Sequence, residues 1–312
     1  MEKFIPKKII IDTDPGIDDA IAIMLAVKSR AFDIKALTTV CGNTTIEDTT
    51  RNAAYVLEAV NASNIPIYSG AARPLRRTFA RGKVMGQTGL GGIKPENNPA
   101  LTNNASAKIA EIVDENPNEI TIVAIGPLTN IANAILENPE VMRKTKELVI
   151  MGGAVTIPGN VSPAAEFNIF VDPDAAKTVF EFPIQKTIVP LDICYQTLFA
   201  LKDFDRITDP SLREILLKMV RPFIENLKVD EKVDGAVMYD VLTIYYLLDA
   251  QNCGTYQANI KVEANDPSNL GKTYISDEIP SRNEKIVTVL NEVDKERFLN
   301  YFLTTLNEKE SL

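Results

Sequence analysis

The run Ile9-Ile10-Ile11-Asp12-Thr13-Asp14-Pro15-Gly16-Ile17-Asp18-Asp19 joins a β-branched triplet to a Pro-Gly turn and four carboxylates. It reads as a strand, a tight turn, and a helix that begins near Ile17 and continues through the apolar-periodic stretch 20–27. Carboxylates crowded on one turn repel each other strongly unless a cation neutralises them. An oxygen-rich cluster of this kind suits a hard divalent metal such as Ca²⁺ or Mg²⁺. An acidic helix start accounts for Asp18 and Asp19, which complement the dipole and cap the first turn. It does not account for Asp12 and Asp14 at the end of a buried strand, so residue type and spacing point to a metal site.

Outward from this run, strands and helices alternate. Strands are predicted at 33–40, 65–68, 119–125, 147–151 and 186–191, and helices at 46–60, 106–113, 128–136 and from 172 onward. That rhythm predicts an α/β fold: an open, mainly parallel twisted sheet with helices on both faces, Rossmann-like in organisation. Additional C-terminal elements follow: helices at 211–227 and 240–248, strands near 258–262 and 285–290, and a closing helix at 294–306 with Asp294 as its N-cap. No repeat or linker is evident, so 1–312 reads as a single domain, with a division near Pro210 as the alternative. Two long polar, glycine-containing segments, 71–104 and 152–168, interrupt the rhythm, and loops of this length are commonly functional. The first is expected to close over a ligand and to be mobile without one.

In open parallel sheets, ligands bind outside the carboxyl ends of the strands. The residues predicted there are Asp12, Asp14, Asn43, Ile125-Gly126, Met151-Gly152-Gly153 and Asp192.

Composition prunes the chemistry. The net charge of −9 over 312 residues argues against nucleic acid and anionic membrane surfaces as partners. No segment approaches the roughly 18 to 20 apolar residues that span a bilayer, and the first residues lack the apolar stretch of a signal peptide. Three cysteines without paired spacing fit reduced thiols and a cytoplasmic setting. The chain has no histidine, which excludes imidazole bases, Ser-His-Asp triads and His-ligated zinc. It has no tryptophan either, so aromatic stacking must come from Tyr or Phe.

The acidic run resembles the signature of the inosine-uridine-preferring nucleoside hydrolase family. Thr39-Val40-Cys41-Gly42-Asn43 resembles that family's second strand end, and Gly126-Pro127-Leu128-Thr129-Asn130-Ile131-Ala132 its central strand-to-helix turn. Met151-Gly152-Gly153, Gly159-Asn160 and Ala165-Glu166-Phe167-Asn168 resemble its ribose-binding loop, followed by Asp172-Pro173-Asp174-Ala175-Ala176. Met238-Tyr239-Asp240 is similar to its last metal-bearing helix start. The resemblance runs in order over about 240 residues of the chain.

It implies Ca²⁺ held by Asp14, Asp19, the main-chain carbonyl of Ile125, and Asp240, with Asp12 behind them as an orienting carboxylate. Asp18, Asn160, Glu166 and Asn168 would hold ribose hydroxyls, Met151 would line the floor, and Phe167 belongs to the same substrate-binding set. Asn43 would stand beside the nucleophilic water. Read from residue type alone, Asn160 and Asn168 are also ordinary turn formers and Glu166 an ordinary solvated loop charge. The implied reaction cleaves the N-glycosidic bond of ribonucleosides, with a metal-activated water and Asp14 as general base. The sugar groups would stabilise the cationic ring, and the resemblance also implies a homodimer or homotetramer.

One departure stands out. The family commonly has histidine where this chain has Tyr239, and another in the loop near Lys83-Val84-Met85. Tyr239 could substitute as a hydrogen-bond donor to the leaving base. Alternatively, Tyr195, Tyr239 or Tyr245 could serve as a stacking platform, or Tyr239 could be filler packed on Tyr245 and Tyr246. Two other functions compete: a non-catalytic or substrate-shifted ribonucleoside binder, and a Mg²⁺-dependent phosphatase with Asp12 as covalent nucleophile. Four hydroxyl-binding groups favour ribose over deoxyribose, because a missing hydroxyl leaves buried groups unpaired.

Overall fold

A computed structural model describes residues 5–79, 81–279 and 285–308. Its first unit is the one the opening run predicts. Strand β1 (Lys7–Thr13) turns at Pro15-Gly16 into helix α1 (Ile17–Ser29), and β2 (Phe32–Thr39) returns parallel to β1. The alternation then continues: α2 (Ile46–Ala59), β3 (Ile67–Ser69), α3 (Ala105–Glu115), β4 (Thr121–Ala124) and α4 (Thr129–Glu137). A short α5 (Pro139–Met142) precedes β5 (Glu147–Met151), α6 (Phe167–Val171), α7 (Pro173–Glu181) and β6 (Lys186–Val189). Strand β6 stops two residues before its predicted end, because Leu191 already begins a short helix, α8 (Leu191–Cys194).

The C-terminal part adds β7 (Leu198–Phe199), α9 (Leu201–Phe204), the long α10 (Pro210–Asp230), β8 (Ala236–Val237) and α11 (Tyr239–Asp249). It ends with β9 (Cys253–Ala258), β10 (Ile260–Val262), β11 (Thr273–Ile275), β12 (Val287–Val293) and α12 (Lys295–Asn307). Asp294 caps α12 as predicted, accepting from the Arg297 N–H.

The main sheet runs β3-β2-β1-β4-β5-β6-β12-β9. Every pairing is parallel except that of the edge strand β9 with β12. Successive residues of β1 face opposite sides: Ile9 and Ile11 pack into one core, and Ile10 into the other. Helices α1, α2, α10, α11 and α12 contribute to the first core, and α3, α4 and α7 to the second. A strand buried on both faces has no polar alternation, which is why the Ile triplet reads as continuous hydrophobe. Burial of each such side chain contributes about 1.5–3 kcal/mol.

Strand order reverses at β1, with β2 on one side and β4 on the other. Loops leaving β1 and β4 diverge to opposite faces and open a crevice at their carboxyl ends. The acidic run sits at this switch point. Helix α1 is buried over residues 17–26, and α11 packs against it. That packing brings the start of α11, carrying Asp240, to the start of α1, carrying Asp18 and Asp19.

Candidate active site

Asp14 is fully buried just past the end of β1. Its Oδ2 accepts the Asn43 main-chain N–H at 2.5 Å, while its Oδ1 is buried without a hydrogen-bond partner. A Cβ at Gly42 would fall 2.1 Å from Oδ2, and one at Gly126 2.7 Å from Oδ1. Both positions therefore require glycine. Asp19 accepts from Thr13 Oγ1 at 2.5 Å, from the Gly16 N–H at 3.0 Å, and from Asn43 Nδ2 at 3.2 Å. Capping and site-building thus coexist in this one carboxylate.

Asp18, Asp19 and Asp240 place carboxylate oxygens within 4.8 Å of one another, all buried. Burial pushes the carboxyls of Asp14, Asp18, Asp19 and Asp240 up, and repulsion within the group adds to it for Asp14, Asp18 and Asp240. Asp18 Oδ1 is likewise buried without a partner. Orphaned buried oxygens and an oxygen-only donor set fit a hard divalent cation, while the N-termini of α1 and α11 stabilise the carboxylates themselves. Asp14 stands beside this trio rather than in it, while adding to the repulsion on Asp240. The Ile125 carbonyl accepts from Asn168 Nδ2 at 3.0 Å.

Asp12 makes its hydrogen bonds elsewhere. Its Oδ1 accepts from Thr38 Oγ1 at 2.5 Å and Asn130 Nδ2 at 2.8 Å, and burial pushes its carboxyl up to about 7. It ties β1 to β2 and α4. Held between Thr38 and Asn130, it is engaged in joining these elements, which makes it poorly placed as a phosphatase nucleophile.

A cavity of about 350 Å³ opens over the strand ends. Asp18, Asn43, Ile125, Met151, Asn160, Glu166, Phe167, Asn168, Tyr239 and Asp240 all line it, which unites the sequence-predicted residues apart from Asp12, Asp14 and Asp19. Glu166 is 2% exposed, so the reading of it as a solvated loop charge falls. Its carboxylate accepts from the N–H groups of Asn168, Ile169 and Gly153, and burial pushes it up to about 7. Asn160 Oδ1 accepts from the Phe167 N–H at 3.1 Å, and its Nδ2 donates to Glu231 Oε1 at 3.2 Å.

Tyr239 donates its hydroxyl to Glu231 Oε2 at 2.7 Å, and Tyr195 donates to the same oxygen at 2.6 Å. The two rings meet edge to face, with centroids 6.3 Å apart. Tyr245 is no base platform: it is buried against Phe298 and Tyr301, and its hydroxyl donates to Asp249. Burial, then the Glu231 charge, pushes the Tyr239 phenol well above its ordinary range, which makes it a poor acid.

Asp230 and Glu231 also line the cavity and carried no sequence-based expectation. The acidic pair Asp230-Glu231, just beyond the helix predicted at 211–227 and shortly before Tyr239-Asp240, was the available signal. Of the described residues of the segment 71–104, Arg81, Gly82, Lys83, Val84 and Met85 line the cavity. Asn226 Nδ2 donates to the Val84 carbonyl at 2.7 Å, and Asn52 Nδ2 to those of Thr88 and Pro15.

Among the described residues no helix is long and apolar enough to cross a membrane, and all three cysteines are free thiols. Residues 9–300 match the family model described as inosine-uridine preferring nucleoside hydrolase. The chain is 38% identical over 300 residues to the pyrimidine-specific ribonucleoside hydrolase RihA of Salmonella arizonae, covering 94% of this chain and 96% of that one. Among solved structures it resembles a plant nucleoside hydrolase (TM-score 0.89, 32% identity), covering 98% of this chain and 100% of that one. It is equally close in shape to the purine-preferring ribonucleoside hydrolase of Gardnerella vaginalis (TM-score 0.89, 29% identity, coverage 96% and 98%).

Proposed function

Because this chain belongs to the inosine-uridine preferring nucleoside hydrolase family, we propose that it hydrolyses the N-glycosidic bond of ribonucleosides to free base and ribose, with Ca²⁺ as cofactor. One observation carries the reading: buried, mutually repelling carboxylates form one end of a cavity whose adjoining wall holds Asp18, Glu166, Asn160 and Asn168. By the family resemblance Asp14, Asp19, Asp240 and the Ile125 carbonyl would hold the ion, and Asp18 shares the oxygen trio with Asp19 and Asp240. When bound, Ca²⁺ supplies positive charge that offsets these carboxylates and lowers the pKa of a nearby water.

The chain's own groups do the rest. Asp14 Oδ1, the oxygen without a partner, accepts the proton of the attacking water, while Asn43 holds Oδ2 still. Asp18, Glu166, Asn160 and Asn168 bind the ribose hydroxyls and stabilise positive charge on the ring, and Met151 and Phe167 wall it from solvent. Such a site favours ribose over deoxyribose. Reduced thiols support a cytosolic enzyme, and the family resemblance supports a homodimer or homotetramer. The relatives named above divide between pyrimidine and purine substrates, so likeness leaves the base open.

The test is ribose release from inosine, adenosine, guanosine, uridine, cytidine and nicotinamide riboside, with Ca²⁺ and then with chelator. Chelator-sensitive release is the expected result. No release from any of them, with Ca²⁺ bound, would leave a nucleoside binder instead.

A further inference from the structure

Three donors converge on Glu231: Asn160 Nδ2 on Oε1, and the Tyr195 and Tyr239 hydroxyls on Oε2. Glu231 lies just past α10 and lines the same cavity as the sugar-binding residues. With the sugar held at the strand ends, the base must occupy the part bounded by Tyr239, Glu231, Asp230 and the segment 81–85.

A phenol has one proton. Tyr239 spends its proton on Glu231, so its oxygen offers only lone pairs to a ligand. A carboxylate has about four lone-pair sites, so three donors leave Glu231 itself able to accept once more. Asp230 adds a second carboxylate on this side. The wall formed by the α10 end and Tyr239 therefore accepts hydrogen bonds and does not donate them. The cationic residues Arg81 and Lys83 line the cavity from the neighbouring segment that Asn226 of α10 holds at the Val84 carbonyl, and the Arg81 guanidinium donates to the Gly86 carbonyl.

We propose that Glu231, with the tyrosine hydroxyls it holds, is a specificity-determining residue that favours bases presenting an amino group over their oxo counterparts. The proposal rests on the nucleoside hydrolase reading. An amino group facing this wall donates to it, whereas an oxo group brings lone pair against lone pair and leaves the remaining acceptor site of the carboxylate unfilled. Cytidine should be favoured relative to uridine, and adenosine relative to inosine, beyond what their intrinsic reactivities dictate.

The experiment measures kcat/KM for those two pairs in the wild type, Glu231→Gln and Glu231→Ala, with melting temperatures to confirm folding. Intrinsic leaving-group differences cancel when the amino-to-oxo ratio is compared between enzymes. The ratio is expected to fall by about tenfold or more in both variants, as for loss of a charged hydrogen-bond partner. If all substrates lose activity equally, so that the ratio is unchanged, Glu231 merely supports the fold and the proposal is overturned. If the wild type releases ribose from none of the four, the hydrolase reading fails, and the specificity proposal falls with it.

Discussion

The Asn43 N–H donates to Asp14 Oδ2 at 2.5 Å, so the loop after β2 grips the carboxylate at the end of β1. Gly126, after β4, approaches the other oxygen so closely that a Cβ would lie 2.7 Å from it. The carboxylate is therefore held between the two strands that flank the switch point.

Removing its charge while keeping its shape should abolish chemistry but not folding. Asp14→Asn is expected to lower kcat by about 10²–10⁴-fold, the range for loss of a general base. Gly126→Ala should also lower kcat by displacing the carboxylate. Steady-state kinetics beside circular dichroism checks both; near-normal turnover in Asp14→Asn would remove it as the base.

Ca²⁺ should stabilise the folded chain, since it relieves repulsion among Asp14, Asp18, Asp19 and Asp240. At a hundredfold excess over its Kd the gain is about 2.7 kcal/mol. Melting temperature should rise with Ca²⁺ and fall back with chelator, and Asp240→Asn should blunt the rise. An unshifted wild-type transition would speak against a cation here.

Tyr239→Phe is expected to lower kcat by less than about tenfold, because the lost hydroxyl donates to Glu231 and is a poor acid. A much larger loss at unchanged KM would show instead that the phenol donates to the leaving base.

Glu166 links activity and stability to pH. Its carboxyl is pushed up to about 7 from an ordinary 4.5 by burial. A raised acid favours the fold while protonated, so its contribution is full below the unfolded value and is lost as pH rises through about 7. Catalysis runs the other way, since the ionised form stabilises a cationic ring. The expected profile of kcat/KM rises through about 7, and Glu166→Gln flattens both this rise and the fall in melting temperature. A rise that survives in Glu166→Gln would assign the limb to another group.

Much of the α/β frame was legible locally. The Ile9–Ile11 triplet, the 147–151 strand and the periodic stretches behind α2, α4 and α12 announce themselves through side-chain pattern, since core burial demands the same residues that periodicity reveals. The antiparallel edge strand β9 was not legible over its length. Its sequence Cys-Gly-Thr-Tyr-Gln-Ala is half-exposed and carries little apolar signal, and its pairing with β12 is a long-range event. Of the site, the acidic run, Asn43 and the 151–168 residues could be read from motif, because their chemistry is unusual where it stands. Glu231 could not, because an acidic residue at a helix end is ordinary until three donors are seen to meet on it.

By itself the sequence determined the strand–turn–helix beginning, the parallel α/β class, the absence of imidazole chemistry, and the carboxylates and amides available to a sugar and a cation. Only tertiary structure decided which of them meet. Asp12 turned to Thr38 and Asn130, Tyr239 to Glu231, and Asp240 to Asp18 and Asp19. Composition and spacing act along the chain within a few residues, whereas a hydrogen-bond partner is chosen by the packing of α1 on α11 and by strand order, which bring together groups more than two hundred residues apart.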